Sequence, residues 1–153
     1  FKVKKLLRLE AYINSKKIDT LALNEFFIGP RKSYHAAKYV IMVDGKKERQ
    51  KSSGILVTTP TGSCAWAKSC SNKTLPLNSK NFQYVVREPY EGKVFKNYKF
   101  KYGALNKNQK ITIASEMLDG ILIADSVSKE YSFKNGSKAT IGFSEKSLNA
   151  IWQ

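Results

Sequence analysis

Apolar and polar positions alternate in short runs along much of this chain, and a period of two marks a half-buried β-strand. The first run is plain. Phe1, Val3, Leu7, Leu9, Ala11 and Ile13 share one parity, with Lys2, Lys4, Arg8 and Glu10 on the other. It predicts a strand; a basic, amphipathic transit peptide is the competing reading, and Glu10 and the alternation count against it. "TLALNEFFIG" is apolar on both faces except at Asn24 and Glu25. "AKYVIMVDGKKERQK" predicts a hairpin turning at Asp44-Gly45, a pair favoured in two-residue turns. "GILVTT" predicts a buried strand that runs into "TTPTGSCAWAKS", Thr58 to Ser69.

Pro60 and Gly62 break that strand, and the small residues after them predict a single short helix at about 62–70. The segment 71–80 is polar and loop-like. Strands resume at "FQYVVR", "NYKFKY", "KITIAS", "ILIAD", "EYSF" and "KATIGF", with tight turns at Asp119-Gly120 and Asn135-Gly136. The expected fold is therefore mainly β, an antiparallel multi-stranded sandwich or barrel-like domain with one short helix after the Thr-Pro-Thr-Gly-Ser run. No internal repeat and no linker interrupts residues 1–153, so one domain is expected.

Composition changes that picture little. At 153 residues and 42% hydrophobic content the chain suits one globular domain with a proper core. No apolar run approaches the ~18 residues of a membrane-spanning helix. A chain that opens on Phe1 rather than Met is expected to be a piece of a longer protein. Charge matters more. Lys and Arg total 27 against 12 acids, a net charge of +15. That excess favours anionic partners, but scattered lysines in an asparagine-rich chain also follow from an A/T-rich genome. Cys64 and Cys70 are too few for a disulfide framework and suit a reducing compartment. With the single His35, expected in an exposed loop, they do not make a metal site.

Several residues could carry chemistry. Asn24 and Glu25 interrupt an apolar strand, where a buried amide and carboxylate need hydrogen-bond partners. A carboxylate can hold two sugar hydroxyls; a strand end meeting water is the plain alternative. Thr61, Gly62 and Ser63 stand where a strand meets a helix, whose first amides attract anions, although any helix start can read this way. Trp66 can stack on a base or serve the core. Asp125 ends the run "ILIAD", either at a site or at a turn. The segment 92–110 interleaves lysines with Phe95, Tyr98, Phe100 and Tyr102, a pattern of single-strand nucleic-acid binding and equally of ordinary apolar-in, lysine-out strands.

Taken together, "LNEFFIG" and, about thirty residues on, "SSGILVTTPTGSCAWAKS" resemble the NAD kinase family in the order and spacing of its Asn-Glu and Thr-Pro-Thr-Gly-Ser motifs. "VVREPYEGKVF", "ILIADSV", "QKSSG" and the tryptophan in place of tyrosine look most like the divergent, mitochondrial-type members. The resemblance implies that 1–153 is the C-terminal, all-β, NAD-binding domain, with Asn24 and Glu25 holding the adenosine and its ribose. It puts Thr61, Cys64 and Ala65 at the adenine, with Gly62 and Ser63 forming the tight backbone beside it. Trp66 would pack on the dinucleotide, Ser69 would lie towards its nicotinamide end, and Asp125 near the ribose. Two departures stand out: Ser53, carried over as an NAD-binding position, replaces the aspartate of the family's Gly-Asp-Gly that helps bind the substrate, and Ser126 replaces the glycine after Asp125.

The resemblance also implies what this chain does without. The family's catalytic Gly-Gly-Asp-Gly motif, carried by an upstream α/β domain, does not occur in it. The chain alone is expected to bind NAD weakly and not to phosphorylate it. The parent protein would transfer a phosphoryl group from ATP, or polyphosphate, with Mg²⁺ to the ribose 2′-hydroxyl. Self-association is implied as well, with the cytosol as the default compartment and the mitochondrial matrix as the alternative. A non-catalytic basic β domain binding nucleic acid is the runner-up, and a lipid or sugar kinase of the same superfamily the third reading.

Overall fold

The computed structural model describes residues 1–127 and 129–152. In chain order the strands are β1 (Lys2–Leu6), β2 (Leu9–Ile13), β3 (Lys16–Lys17), β4 (Glu25–Pro30), β5 (Ala37–Val43), β6 (Lys46–Ser52) and β7 (Gly54–Thr58). After a 3-10 turn (Gly62–Cys64) and the helix α1 (Trp66–Ser71) come β8 (Phe82–Arg87), β9 (Tyr102–Leu105), β10 (Ile111–Ser115), β11 (Gly120–Ala124), β12 (Tyr131–Ser132), β13 (Lys138–Phe143) and β14 (Leu148–Trp152).

Two antiparallel six-stranded sheets carry the fold, in the orders β3-β2-β13-β10-β5-β6 and β12-β11-β4-β7-β8-β9; β1 and β14 form a separate pair. The main core lies between the two large sheets. Leu9, Ala11, Tyr39, Ile41, Ile111, Ile113 and Ile141 come from the first, and Phe26, Ile28, Ile55, Val57, Phe82 and Leu122 from the second. The expected antiparallel sandwich with one short helix is what the chain forms.

The second sheet is covered on its other face too. Ala67 of α1, with Trp66 and Cys70 beside it, packs on Phe27, Leu56, Val85 and Ile121. β4, β7 and most of β8 are therefore buried on both faces, which is why "GILVT" and "FQYVV" read as continuous rather than alternating runs. The polar segment expected at 71–80 does follow as a connection, and the hairpin turns at Asp44 and Gly45, both at positive φ.

Three expectations need correction. The opening alternation is not one strand: it breaks at Leu7-Arg8, because β1 pairs with β14 while β2 joins the first sheet between β3 and β13. The inward parity shifts there, from Leu6 to Leu9 and Ala11, and leaves Phe1 and Val3 exposed. "NYKFKY" is strand only from Tyr102. Before it, the Lys99 and Phe100 amides donate to the Glu48 carboxylate at 2.8 and 3.1 Å, in place of a ladder. "EYSF" contributes only the two residues of β12. β14 had no expectation at all.

The lysine–aromatic stretch has a structural use. Tyr98 is buried and its hydroxyl accepts from the Lys51 amide at 3.0 Å. Phe100 packs on the main core and Tyr102 on the layer under α1. These rings are taken up in packing rather than presented as a stacking platform. Cys64 and Cys70 are free thiols, and His35 is exposed in the loop before β5. No helix among the described residues is long and apolar enough to cross a membrane.

Candidate functional site

At one end of the second sheet three chain reversals meet. β4 starts at Glu25, which pairs with Thr58 at the end of β7, and Phe26 pairs with Ala124 at the end of β11. The antiparallel register thus brings together the turn before β4, the loop after β7 and the turn after β11.

Asp125 holds the first of these. Its Oδ2 accepts from the Leu23 amide at 2.9 Å, and its Oδ1 from Asn24 at 2.7 Å and Glu25 at 3.1 Å. In return the Asp125 amide donates to the Glu25 carbonyl at 2.9 Å. Three amides on one carboxylate is a strong, charge-assisted clamp. Asp125 and Ser126 both lie in the left-handed region, at φ 53° and 57°, the backbone that a glycine after the aspartate would adopt at less cost.

The loop after β7 closes against the same turn. The Thr59 amide donates to the Asn24 carbonyl at 2.9 Å, and the Thr59 hydroxyl donates to the Leu23 carbonyl at 2.5 Å and accepts from the Gly62 amide at 3.0 Å. Gly62 is forced by contact: a Cβ there would lie 2.0 Å from the Asn24 carbonyl oxygen. Ser63 is buried, donating to the Pro60 carbonyl at 2.8 Å and accepting from the Leu75 amide at 2.8 Å. The amides of Gly62, Ser63 and Ala65 all donate inside this turn. The Gly62 and Ser63 amides are therefore already used by Thr59, and that of Ala65 by the Gly62 carbonyl.

Glu25 is the unsettled group. It is buried at 4% exposure, and its Oε2 has no hydrogen-bond partner among the described residues. The Oγ1 of Thr58, its register partner across β4 and β7, is also buried and without a hydrogen-bond partner among the described residues. Burial chiefly, and then the Asp125 charge, raise the Glu25 carboxyl to about 7, with a side-chain hydrogen bond to Ser126 opposing them. Two unsatisfied polar atoms on neighbouring strand ends each cost free energy that a ligand with hydroxyl groups could recover.

Trp66 stands a few residues along on α1. Its ring packs on Phe27 at 5.2 Å between centroids, tilted by 32°, and the Arg87 guanidinium lies 4.7 Å from its centroid. Arg87 Nε is buried without a hydrogen-bond partner among the described residues. Cys64 and Ala65 are exposed at the head of α1, and Ser69 is exposed with its hydroxyl on the Trp66 carbonyl at 2.7 Å. Ser53 is set apart, at the opposite end of β7 from Thr58, where its hydroxyl donates to Glu88 at 2.8 Å. It lines an open groove of about 390 Å³ with Tyr34, His35, Lys51 and Tyr90.

The structure thus joins Asn24, Glu25, Asp125 and the Thr61–Ser63 turn into one bonded unit, places Cys64, Ala65, Trp66 and Ser69 just beyond it, and leaves Ser53 outside. Thr58, Thr59, Phe27 and Arg87 were not anticipated. The polar pair Thr58-Thr59 at the end of "GILVTT" was the available signal; Phe27 and Arg87 carried none beyond a bulky residue and a charge on a buried strand.

The class these features define is an antiparallel β-sandwich with a carboxylate-clamped turn, a glycine-tight turn beside it and an unpartnered buried acid at one sheet end. Its relatives are specific. No family model matches the sequence. The NAD kinase of Thermoplasma volcanium is 27% identical over 152 residues, 99% of this chain and 54% of that protein. The NAD kinase of Rhizobium meliloti is 33% identical over 109 residues, 70% of this chain and 39% of that protein. Human mitochondrial NAD kinase 2 is 29% identical over 78% of this chain and 35% of its own length.

Two solved structures share the fold. An Archaeoglobus fulgidus NAD kinase in complex with ATP superimposes with a TM-score of 0.78 at 24% identity, over 97% of this chain and 54% of that one. Yeast NADH kinase complexed with NADH gives 0.83 at 19%, over 99% and 44%. The chain is a homologue of the NAD kinases, and it spans about half, or less, of the length of these relatives.

Proposed function

We propose that this chain forms the NAD-binding part of an NAD kinase whose whole protein transfers the γ-phosphoryl group of ATP to the 2′-hydroxyl of the adenosine ribose. The unsatisfied pair of Glu25 Oε2 and Thr58 Oγ1 carries the reading. Above about pH 7 the Glu25 carboxylate is acceptor-only, and a hydroxyl both donates and accepts, so the two suit a sugar diol. The Asp125 clamp gives Asn24 and Glu25 a fixed position, and in this reading Asp125 acts through them rather than on the ligand. The exposed Cys64 and Ala65 offer a surface for the adenine, and Trp66, already braced by Phe27 and Arg87, offers an edge to the dinucleotide.

Phosphoryl transfer depends mostly on positioning and charge stabilisation. This chain would supply the positioning of the acceptor ribose; the group that takes the proton from the 2′-hydroxyl is assigned to the rest of the protein. Among the described residues no cluster of three or more His, Cys, Asp or Glu side chains is placed to hold a metal ion. Mg²⁺ in this reading is held by the nucleotide phosphates, whose charge it offsets. Self-association, and a compartment that keeps Cys64 and Cys70 reduced, belong to the same proposal.

The test is NADP formation from NAD and MgATP by the full-length protein and its Glu25→Gln form, which keeps the side chain's shape. Hydrogen bonds to a charged group contribute about 1.5–3 kcal/mol each, so Glu25→Gln is expected to lower kcat/KM by roughly ten- to a hundredfold. Wild-type activity in Glu25→Gln would remove Glu25 from the site. No NADP from the wild type would end the kinase reading.

A further inference from the structure

Four lysines from separate parts of the chain line an open groove of about 820 Å³: Lys17 on β3, Lys80 before β8, Lys107 after β9 and Lys146 after β13. Tyr12 and Phe143 contribute rings to its wall. A fifth ammonium stands at its edge, where Lys110 Nζ lies 5.9 Å from the Tyr12 ring centroid. Two acids line the groove. Glu10 is tied to Lys17 at 2.6 Å, and Glu145 is exposed. Lys80, Lys107 and Lys146 form no ion pair among the described residues. None of the lining residues belongs to the candidate NAD site.

The lysines stand on ordered backbone. The turn bearing Lys107 is closed by the Gln109 amide on the Asn106 carbonyl at 3.1 Å, the Asn108 amide on Asn106 Oδ1 at 2.9 Å and the Asn106 amide on Gln109 Oε1 at 2.9 Å. The Gln109 side chain in turn donates to Asp44 at 2.8 Å. The turn bearing Lys146 is held from the other side by Arg8, whose Nε donates to the Lys146 carbonyl at 2.9 Å and whose own carbonyl accepts from the Ser144 amide at 2.9 Å. Fixed mounting points lower the ordering cost of binding. Unpaired ammoniums converging on one concavity concentrate positive potential there. The volume suits a ligand well beyond a single phosphate ion.

We propose that this groove is a second anion site, separate from the NAD site, that takes a linear chain of phosphates, either inorganic or carried by a nucleoside. The test is calorimetric titration of the full-length protein with sodium tripolyphosphate and with ATP, free of divalent cations, at low and at physiological salt. Saturable tripolyphosphate binding is expected, weakening as salt rises and falling at least tenfold in Lys107→Glu/Lys146→Glu. The control Lys93→Glu/Lys96→Glu, which carries the same charge change outside the groove, should keep most of it. Unchanged NAD affinity in both double variants shows that they are folded.

The two ligands separate the sources. Equal affinity for tripolyphosphate and ATP, insensitive to Tyr12→Ala, points to the phosphate chain alone. Tighter ATP binding whose advantage is lost in Tyr12→Ala points to a nucleoside triphosphate. Absence of saturable tripolyphosphate binding, or equal binding in the groove and control variants, overturns the proposal.

Discussion

Glu25 is buried beside the charge of Asp125, and its carboxyl keeps its proton up to about pH 7. The folded state therefore binds that proton more tightly than the unfolded chain, whose glutamate titrates near 4.5. Between those two values the native state holds more protons, so stability falls as pH rises across that window and levels off above it. The slope from one such group is at most ~1.4 kcal/mol per pH unit. In Glu25→Gln it should vanish, so the variant gains stability relative to the wild type on going from pH 5 to pH 7, as read from denaturant midpoints. Parallel pH profiles would show that Glu25 titrates normally. The anomaly itself was legible, since Asn24 and Glu25 interrupt an apolar run. The role of Asp125 was not: its three amide partners lie about a hundred residues away in sequence, and no local pattern reports a clamp of that span.

At the scale of elements, the site depends on two turns that touch. Gly62 lets the 3-10 turn press on the peptide of Asn24, and a methyl group there would overlap its carbonyl oxygen. Gly62→Ala is expected to cost about 3 kcal/mol by forcing the turns apart, and to weaken NAD binding at the same time. Equilibrium denaturation and NAD titration of the variant check both; a loss of neither would mean that the turns are independent. The Thr-Pro-Thr-Gly-Ser run announced a strand end and a short helix, because Pro and Gly act locally. Hairpin β5–β6 was legible from Asp44-Gly45 for the same reason. The opening strand was misread because its parity break at Leu7-Arg8 depends on the choice of partner, β14 for one half and β13 for the other. β14 has four of its five residues exposed and only Ala150 half-buried, so it lacks the buried–exposed alternation that marks a strand.

For the whole molecule, the sandwich supplies a rigid frame and leaves ligand chemistry to its margins. The proposed NAD site lies at one sheet end, and the lysine groove is lined by none of its residues. The net charge of +15 could be read from composition, but not that some lysines converge while Lys99 and Lys101 flank a segment lashed to β6. The aromatic residues among them fit both a nucleic-acid platform and ordinary apolar-in, lysine-out strands in the sequence, and Tyr98, Phe100 and Tyr102 pack inward. The central claim, that the turns around Glu25 and Gly62 seat NAD, is tested most directly by hydrogen–deuterium exchange of the full-length protein with and without saturating NAD. The account predicts slowed exchange at the amides of Leu23–Glu25 and Gly62–Trp66. Protection that leaves these two segments untouched while NAD is bound would contradict it.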